Sequence, residues 1–358
     1  MHINGRPYLR DLPYPLPCDL PELLRQNLRS LLCTKLVGAP VGSPSLKKKP
    51  PEKVLEVACG SGYWSSVCHD FYAEMGCGNI TFTGIDVIHV APELQNQGLD
   101  WRFVQHDICR QSLPFAHASF DYVMLRDLSL VVPLGQSSER IMDESIRVLQ
   151  PGGTLEIWET EHIIRSLLPN PTLPLGKMQE DQEHAARTAS FLVSPTTPFG
   201  TAQNSYICDF NAWIQRAFSD RNLSTTPCSR VAQVLLQEPE RLSNVGYRRI
   251  AIPLTELRWE QEGSSDTEGK AGDKNADQSD RESKKLTEEQ LGLREAALTT
   301  FFQLIESLEP ILHKASDKSN EEWRLWWKAM VSDLLEKRAI NGGECLEIGV
   351  WWAQKINY

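Results

Sequence analysis

No stretch of this 358-residue chain approaches the run of about 18 apolar residues that a membrane-spanning helix needs. The opening residues, Met1-His-Ile-Asn-Gly-Arg-Pro7, lack the apolar core of a secretory signal and the character of a transit peptide, so the expectation is a cytoplasmic or nuclear location. Basic charge is short as well: 37 Lys and Arg against 47 Asp and Glu leave a formal charge of -10. A protein built to grip a phosphate backbone carries a basic face, so nucleic acid is not an expected partner. Paired cysteines are missing too. The nine cysteines are scattered singly with no C-x-x-C, which argues for reduced thiols over a disulfide framework or a zinc site, and no metal is expected. No internal repeat is visible. What is present, 41% hydrophobic and 23% charged residues, suits a soluble globular chain with a sizeable core.

Residues 1–36 read as an extended arm, with four prolines in the first 17 positions, followed by a helix. Asp19, Pro21 and Glu22 look like an N-cap, a first-turn proline and an acidic first turn. Leu20, Leu23, Leu24, Leu28, Leu31 and Leu32 then recur at helical spacing up to about Cys33. Residues 37–53, with the run Lys47–Lys49, read as a solvated linker. From Val54 strand and helix alternate. Strands are expected at 53–58, 80–86, 101–105, 120–125 and 153–158, with helical stretches at 62–75, 91–97 and 137–149 and a turn at Pro151-Gly152-Gly153. Such alternation implies right-handed crossovers and an α/β, doubly wound, mostly parallel sheet over a core of residues 54–160.

Residues 161–245 hold helical stretches near 176–192, 209–219 and 228–237 and are expected to form a lid. In 246–358, strands at 246–254 and 344–354 should pair as an antiparallel edge. Between them lie a segment at 261–285 too polar to offset its ordering entropy, and helices near 287–313 and 319–338. In the last helix Trp323, Trp327, Met330 and Leu334 make an apolar stripe that reads as core.

Chemistry concentrates in the first half. Val54-Leu-Glu-Val-Ala-Cys-Gly-Ser-Gly62 is an apolar run, an acid and two glycines before a helical segment. A strand hands over to a helix there through a turn that approaches a ligand closely, where a Cβ would intrude. The second strand ends in Asp86, 24 positions after Gly62, followed by Val87; a carboxylate there can accept both hydroxyls of a ribose. Asp107 follows the third strand and can take an exocyclic amine of adenine, with Ile108 packing on the base. Asp121 opens the fourth strand and reads as a turn or packing residue.

Strand, glycine turn, ribose acid and adenine acid in this order resemble the class I S-adenosylmethionine-dependent methyltransferases over roughly residues 50–160. The resemblance implies a Rossmann-like fold, with Glu56, Ala58, Gly60 and Gly62 in the first motif, alanine standing where the family has its first glycine. Val87 and Arg126 complete the cofactor set so implied. A dinucleotide fingerprint would want a third glycine, and Ser65 occupies that position. Asp11–Pro17, Asp100–Asp107 and Gly153–Glu159 are further similar to a group of fungal methyltransferase-domain proteins of unassigned substrate.

With S-adenosylmethionine as cofactor, the protein mainly orients an acceptor and excludes water, and a base is needed only for a protonated acceptor. Acceptor contacts are expected from Tyr14 on the arm, Asp127 after the fourth strand, and Glu159 and Glu161 after the fifth; Arg126 and Asp127 could instead pair with each other. His162 is the candidate base, because an ordinary imidazole titrates near neutral pH. Three functions stay open: transfer to a small-molecule or lipid-like acceptor, transfer to a protein, or a cofactor-binding regulatory protein without turnover.

Overall fold

A computed structural model describes residues 2–9, 14–169, 179–257, 260, 286–335 and 342–357. The expected polar segment 261–285 lies outside the described residues, as do residues 176–178 and 336–338 of two expected helices.

The first helix, α1 (Leu20–Val37), starts where its capping signal places it. The Asp19 carboxylate accepts the Glu22 N–H at 3.0 Å, and Gly38 closes the helix in a left-handed conformation at φ 82°. Its orientation overturns the leucine pattern. Leu20, Leu24 and Leu31 are 66%, 54% and 40% exposed, while Glu22, Arg25 and Arg29 are buried with Leu32, Cys33, Leu36 and Val37. The charged stripe turns inward because each charge finds a fixed partner there: Glu22 meets Arg25 within the helix, and Arg29 meets Asp127 and Thr160 from other elements.

The expected linker is no solvated tether. It carries a short helix, α2 (Pro44–Lys48), and buries Ala39, Val41, Ser43 and Leu46. The Gly42 and Ser43 amides donate to the buried carboxylate of Glu156, at 2.5 and 3.2 Å, which ties this segment to the sheet.

Then come β1 (Lys53–Val57), α3 (Tyr63–Glu74), β2 (Thr81–Asp86), β3 (Asp100–Gln105), β4 (Phe120–Arg126), α4 (Gln136–Val148) and β5 (Leu149–Thr160). These strands run parallel in the order β3-β2-β1-β4-β5, so the carboxyl ends of β1, β2, β3 and β4 meet along one edge. The stretch 91–97 forms only a 3-10 turn, Leu94–Gln97. Asp121 takes the packing role expected of it: its carboxylate accepts the Glu52 and Lys53 amides at 3.1 and 2.8 Å and sets the start of β1. A Cβ on Gly153 would stand 2.8 Å from the Asp121 carbonyl, so that turn admits no side chain.

Short strands β6 (Arg165–Leu167), β7 (Phe191–Leu192) and β8 (Phe199–Thr201) and helices α5 (Gln179–Arg187), α6 (Ser205–Ser219) and α7 (Pro227–Leu236) follow. The chain returns as β9 (Leu242–Pro253), runs through α8 (Glu288–Ser307), α9 (Glu309–Ser316) and α10 (Asn320–Leu335), and ends with β10 (Glu344–Lys355). β9 and β10 pair antiparallel as expected, and β10 inserts between β9 and β5, antiparallel to both. Among the described residues the sheet has ten strands, parallel through β5 and antiparallel beyond it, a Rossmann-like doubly wound α/β fold. In α10, Trp323, Met330 and Leu334 are buried; Trp326 takes a core position and Trp327 is half-buried. Among the described residues no helix is long and apolar enough to cross a membrane.

Candidate functional site

The turn after β1 is built for close approach. Ala58, Gly60 and Gly62 all adopt positive φ, at 56°, 52° and 68°. A Cβ on Gly62 would stand 2.8 Å from Leu94 Cδ1 and one on Gly60 2.8 Å from Gln26 Oε1, so both glycines are also fixed by packing. Asp86, at the end of β2, holds the turn: its Oδ2 accepts the Gly60 amide and its Oδ1 the Val87 amide, at 2.8 and 2.7 Å. Burial raises the Asp86 carboxyl above its ordinary range, while the three amides of Gly60, Val87 and Ile88 favour the charged form.

Above this turn lies a cavity of about 310 Å³, a size that suits a small ligand. Its lining includes Ala58, Gly60, Asp86 and Val87, Asp107 and Ile108 after β3, and Arg126 and Asp127 at the end of β4. Tyr14 also lines it, so nine of the expected residues meet in one cavity. Asp107 caps its own turn as well, accepting the Cys109 amide at 2.9 Å. Arg126 and Asp127 do not pair with each other. Arg126 reaches Ser30 and, at 3.5 Å, Glu56, whereas Arg29 bonds both oxygens of Asp127. Against the opposing effect of burial, the Arg29 guanidinium holds the Asp127 carboxyl below its usual range.

Five expected residues lie elsewhere. Gly62 packs against the turn after β2, outside the cavity wall. Glu56 is buried behind the turn, accepting the Ser65 hydroxyl at 2.7 Å, and burial pushes its carboxyl to about 7. The serine that replaces the third glycine of a dinucleotide fingerprint thus has a bonding duty of its own. His162 is no base for this cavity. It is 3% exposed, its Nε2 sits 2.8 Å from Ser129 Oγ, and burial lowers its pKa to about 3, so it stays neutral. Glu159 accepts the same Ser129 hydroxyl at 2.5 Å and is pushed by burial to about 8. Glu161 accepts the Cys228 amide at 3.1 Å beside Glu347, away from the cavity. Glu161, Cys228 and Glu347 come close enough to share a cation, but Arg165 and Arg249 already neutralise Glu347 and burial keeps the Cys228 thiol protonated.

The lid is likewise not where the helical stretches of 161–245 suggested. Among the described residues none from that segment lines the cavity. Instead α6 packs on α9, and α7 on β5, β9 and β10. The arm, through Tyr14, Leu16 and Cys18, and the Arg25–Asn27 turn of α1 line the cavity instead. Arg6 pairs with Asp19 at 2.7 Å and Tyr8 donates to the Ser307 carbonyl at 3.1 Å, pinning the arm. Ser61 Oγ bonds Asn27 at 2.6 Å, so α1 touches the glycine turn directly. Arg25, Gln26, Asn27 and His106 line the cavity and were missed by the sequence reading, which took Glu22 only as an acidic first turn.

Residues 54–153 match the family model described as a methyltransferase domain, which spans β1 to the start of β5 and so contains the turn, Asp86 and Asp107. This segment thus matches a methyltransferase domain, and the cofactor that such a domain implies is S-adenosylmethionine. No curated protein matches the chain. Among solved structures the chain is similar to the PH0226 protein of Pyrococcus horikoshii OT3, at 24% identity and TM-score 0.30 over 42% of this chain and 65% of that one, just under two thirds of its length. It is also similar to a phosphoethanolamine N-methyltransferase 2 of Haemonchus contortus with bound S-adenosylhomocysteine, at 12% identity and TM-score 0.39 over 95% and 61%. A third likeness is to the N-methyltransferase NodS of Bradyrhizobium japonicum WM9, at 18% identity and TM-score 0.28 over 43% and 66%.

Proposed function

We propose that the chain transfers a methyl group from S-adenosylmethionine to a small-molecule or lipid-like acceptor. The observation that carries this reading is the cavity that the Gly60 turn, Asp86, Asp107 and the arm residue Tyr14 line together. The residues present fit the cofactor. Asp86 would offer carboxylate lone pairs to the ribose, Asp107 would accept from the adenine amine, Val87 and Ile108 would pack on the base, and the Ala58–Gly60 backbone would admit the amino-acid end; all of these line the cavity.

When bound, the cofactor would supply a sulfonium methyl as the electrophile for an acceptor lone pair. The chain's share is to bind, orient and keep water out, and the arm and α1 line the site for that task. Arg126 and Asp127, both held by other side chains at the end of β4, would face the acceptor. Leu16, Leu130 and Val131 give the cavity apolar wall, and a concave site of this volume favours a small acceptor over a folded protein surface.

Calorimetry with S-adenosylmethionine and S-adenosylhomocysteine tests the cofactor, and absence of binding would sink the proposal. A labelled-methyl assay on fractionated cell extract tests the acceptor class. Label confined to macromolecules would reject the small-molecule reading in favour of protein methylation.

A further inference from the structure

Helix α1 is packed inside out. Its charges Glu22, Arg25 and Arg29 are buried, whereas Leu20, Leu24 and Leu31 stand exposed and Leu28 is half-buried. At about 100° per residue these four leucines fall on one face of the helix, a stripe roughly 17 Å long. Single exposed leucines are ordinary on a protein surface, but a continuous apolar stripe marks a contact surface.

Two features decide what that stripe meets. The first is charge. The chain carries a formal charge of -10, yet Glu22 is the only acid in α1 and it is buried. The outward face of the helix therefore holds no negative charge, and it ends in the exposed Lys35. Anionic lipid headgroups attract such a face and repel an acidic one. The second is area. Leu20, Leu24 and Leu31 together expose on the order of 300 Å², well short of the roughly 800 Å² per partner that a stable protein interface buries. A lipid surface needs no matching relief and takes up a short row of leucines at the boundary of its headgroups.

The stripe also runs alongside the cavity. Leu23, Gln26 and Asn27, from the adjacent face of the same helix, line it. Asn27 lies within about 40° of Leu20 and Leu31 around the helix axis. A bilayer against the leucines would border the wall that α1 gives the cavity.

We propose that α1 docks the protein on an anionic lipid surface through Leu20, Leu24, Leu28 and Leu31. The docking rests on α1 and goes beyond the methyltransferase reading, whose acceptor class it tilts toward lipids.

Co-sedimentation of the full chain with vesicles tests this, with phosphatidylcholine alone and with an equimolar mixture of phosphatidylcholine and phosphatidylserine. The expected result is saturable binding to the mixture, weakened roughly tenfold or more in the triple variant Leu20→Gln, Leu24→Gln, Leu31→Gln. All three positions are exposed, so the variant should keep the wild-type dichroism and melting temperature. Lys35→Glu should weaken binding to the mixture several-fold. Leu236→Gln, which removes an equally exposed leucine from α7, should change nothing. Absence of binding to the mixture overturns the proposal, as does binding that survives the triple substitution or falls equally in Leu236→Gln. Equal affinity for the two vesicle types overturns the anionic surface. A stripe that pairs two copies instead gives a dimer in sedimentation velocity that the triple variant lacks, without vesicle binding, and this also overturns it. Vesicle binding without S-adenosylhomocysteine binding in calorimetry sinks the methyltransferase reading alone. S-adenosylhomocysteine binding without vesicle binding sinks the docking alone.

Discussion

The Gly60 amide donates to Asp86 Oδ2 at 2.8 Å, which ties the turn after the first parallel strand to the end of the second. One carboxylate therefore shapes the glycine turn and faces the cavity. Losing it should cost both turn geometry and ligand affinity.

Asp86→Ala leaves the Gly60 and Val87 amides without their acceptor. The expected result is at least a tenfold drop in S-adenosylhomocysteine affinity by calorimetry, with a stability loss of about 1–3 kcal/mol in urea unfolding. Unchanged affinity would remove Asp86 from the cofactor site.

Ala58 holds φ at 56°, in the left-handed region where a Cβ is strained. Ala58→Gly should relieve that strain and, net of glycine's extra entropy when unfolded, raise stability by up to about 1 kcal/mol. Denaturant midpoints of the two proteins check this, and a lower midpoint for the variant would contradict it.

Burial pushes Glu161 to about 7, with the Glu347 carboxylate adding to the effect, against an ordinary value of 4.5. The folded chain therefore keeps a proton that the unfolded chain has released between those pH values. Stability from this group is full below about 4.5 and is lost as pH rises through 7. In Glu161→Gln the decline between pH 5 and 8 should be shallower, by up to about 1.4 kcal/mol per pH unit. Equal slopes in thermal melts across that range would contradict the assignment. A chelator should leave the melting temperature unchanged, because Arg165 and Arg249 supply the positive charge at Glu347.

His162 has the opposite sign. Burial lowers it from 6.5 to about 3, so its contribution is present above 6.5 and is lost as pH falls toward 3. His162→Asn should flatten the acid limb of the stability profile and leave the pH dependence of methyl transfer unchanged. A shifted rate profile would restore His162 as a base.

The arm is pinned at two points, Arg6 to Asp19 and Tyr8 to the Ser307 carbonyl. The double substitution Arg6→Ala, Tyr8→Phe should speed S-adenosylhomocysteine dissociation roughly tenfold, about 1.4 kcal/mol, with far-ultraviolet dichroism unchanged. Stopped-flow displacement measures this, and an unaltered rate would deny the arm its role at the cavity.

The parallel strands and the glycine turn were legible because their causes are local. Apolar runs of strand length, the positive-φ turn at Gly60 and Gly62, and the acid closing β2 each depend on neighbours within a few residues. Asp86 and Asp107 could be named from their places at strand ends. The face of α1 could not, since its leucines at helical spacing point outward over Leu20, Leu24 and Leu31. Nothing near Glu22 or Arg29 in the chain announces Ser307, Asp127 or Thr160 as their partners. The same distance in sequence hid the place of the arm at the cavity: helices α6 and α7 have the apolar faces of a lid but spend them on α9 and on the antiparallel strands.

By itself the sequence determined a strand, turn and helix unit with two acids at adjacent strand ends, because backbone sterics and side-chain alternation act locally. Tertiary structure decided which charges are buried and which segments line the cavity. A buried arginine or carboxylate is tolerable only beside a partner, and here partners such as Arg29 and Asp127, or Glu22 and Ser307, come from distant parts of the chain.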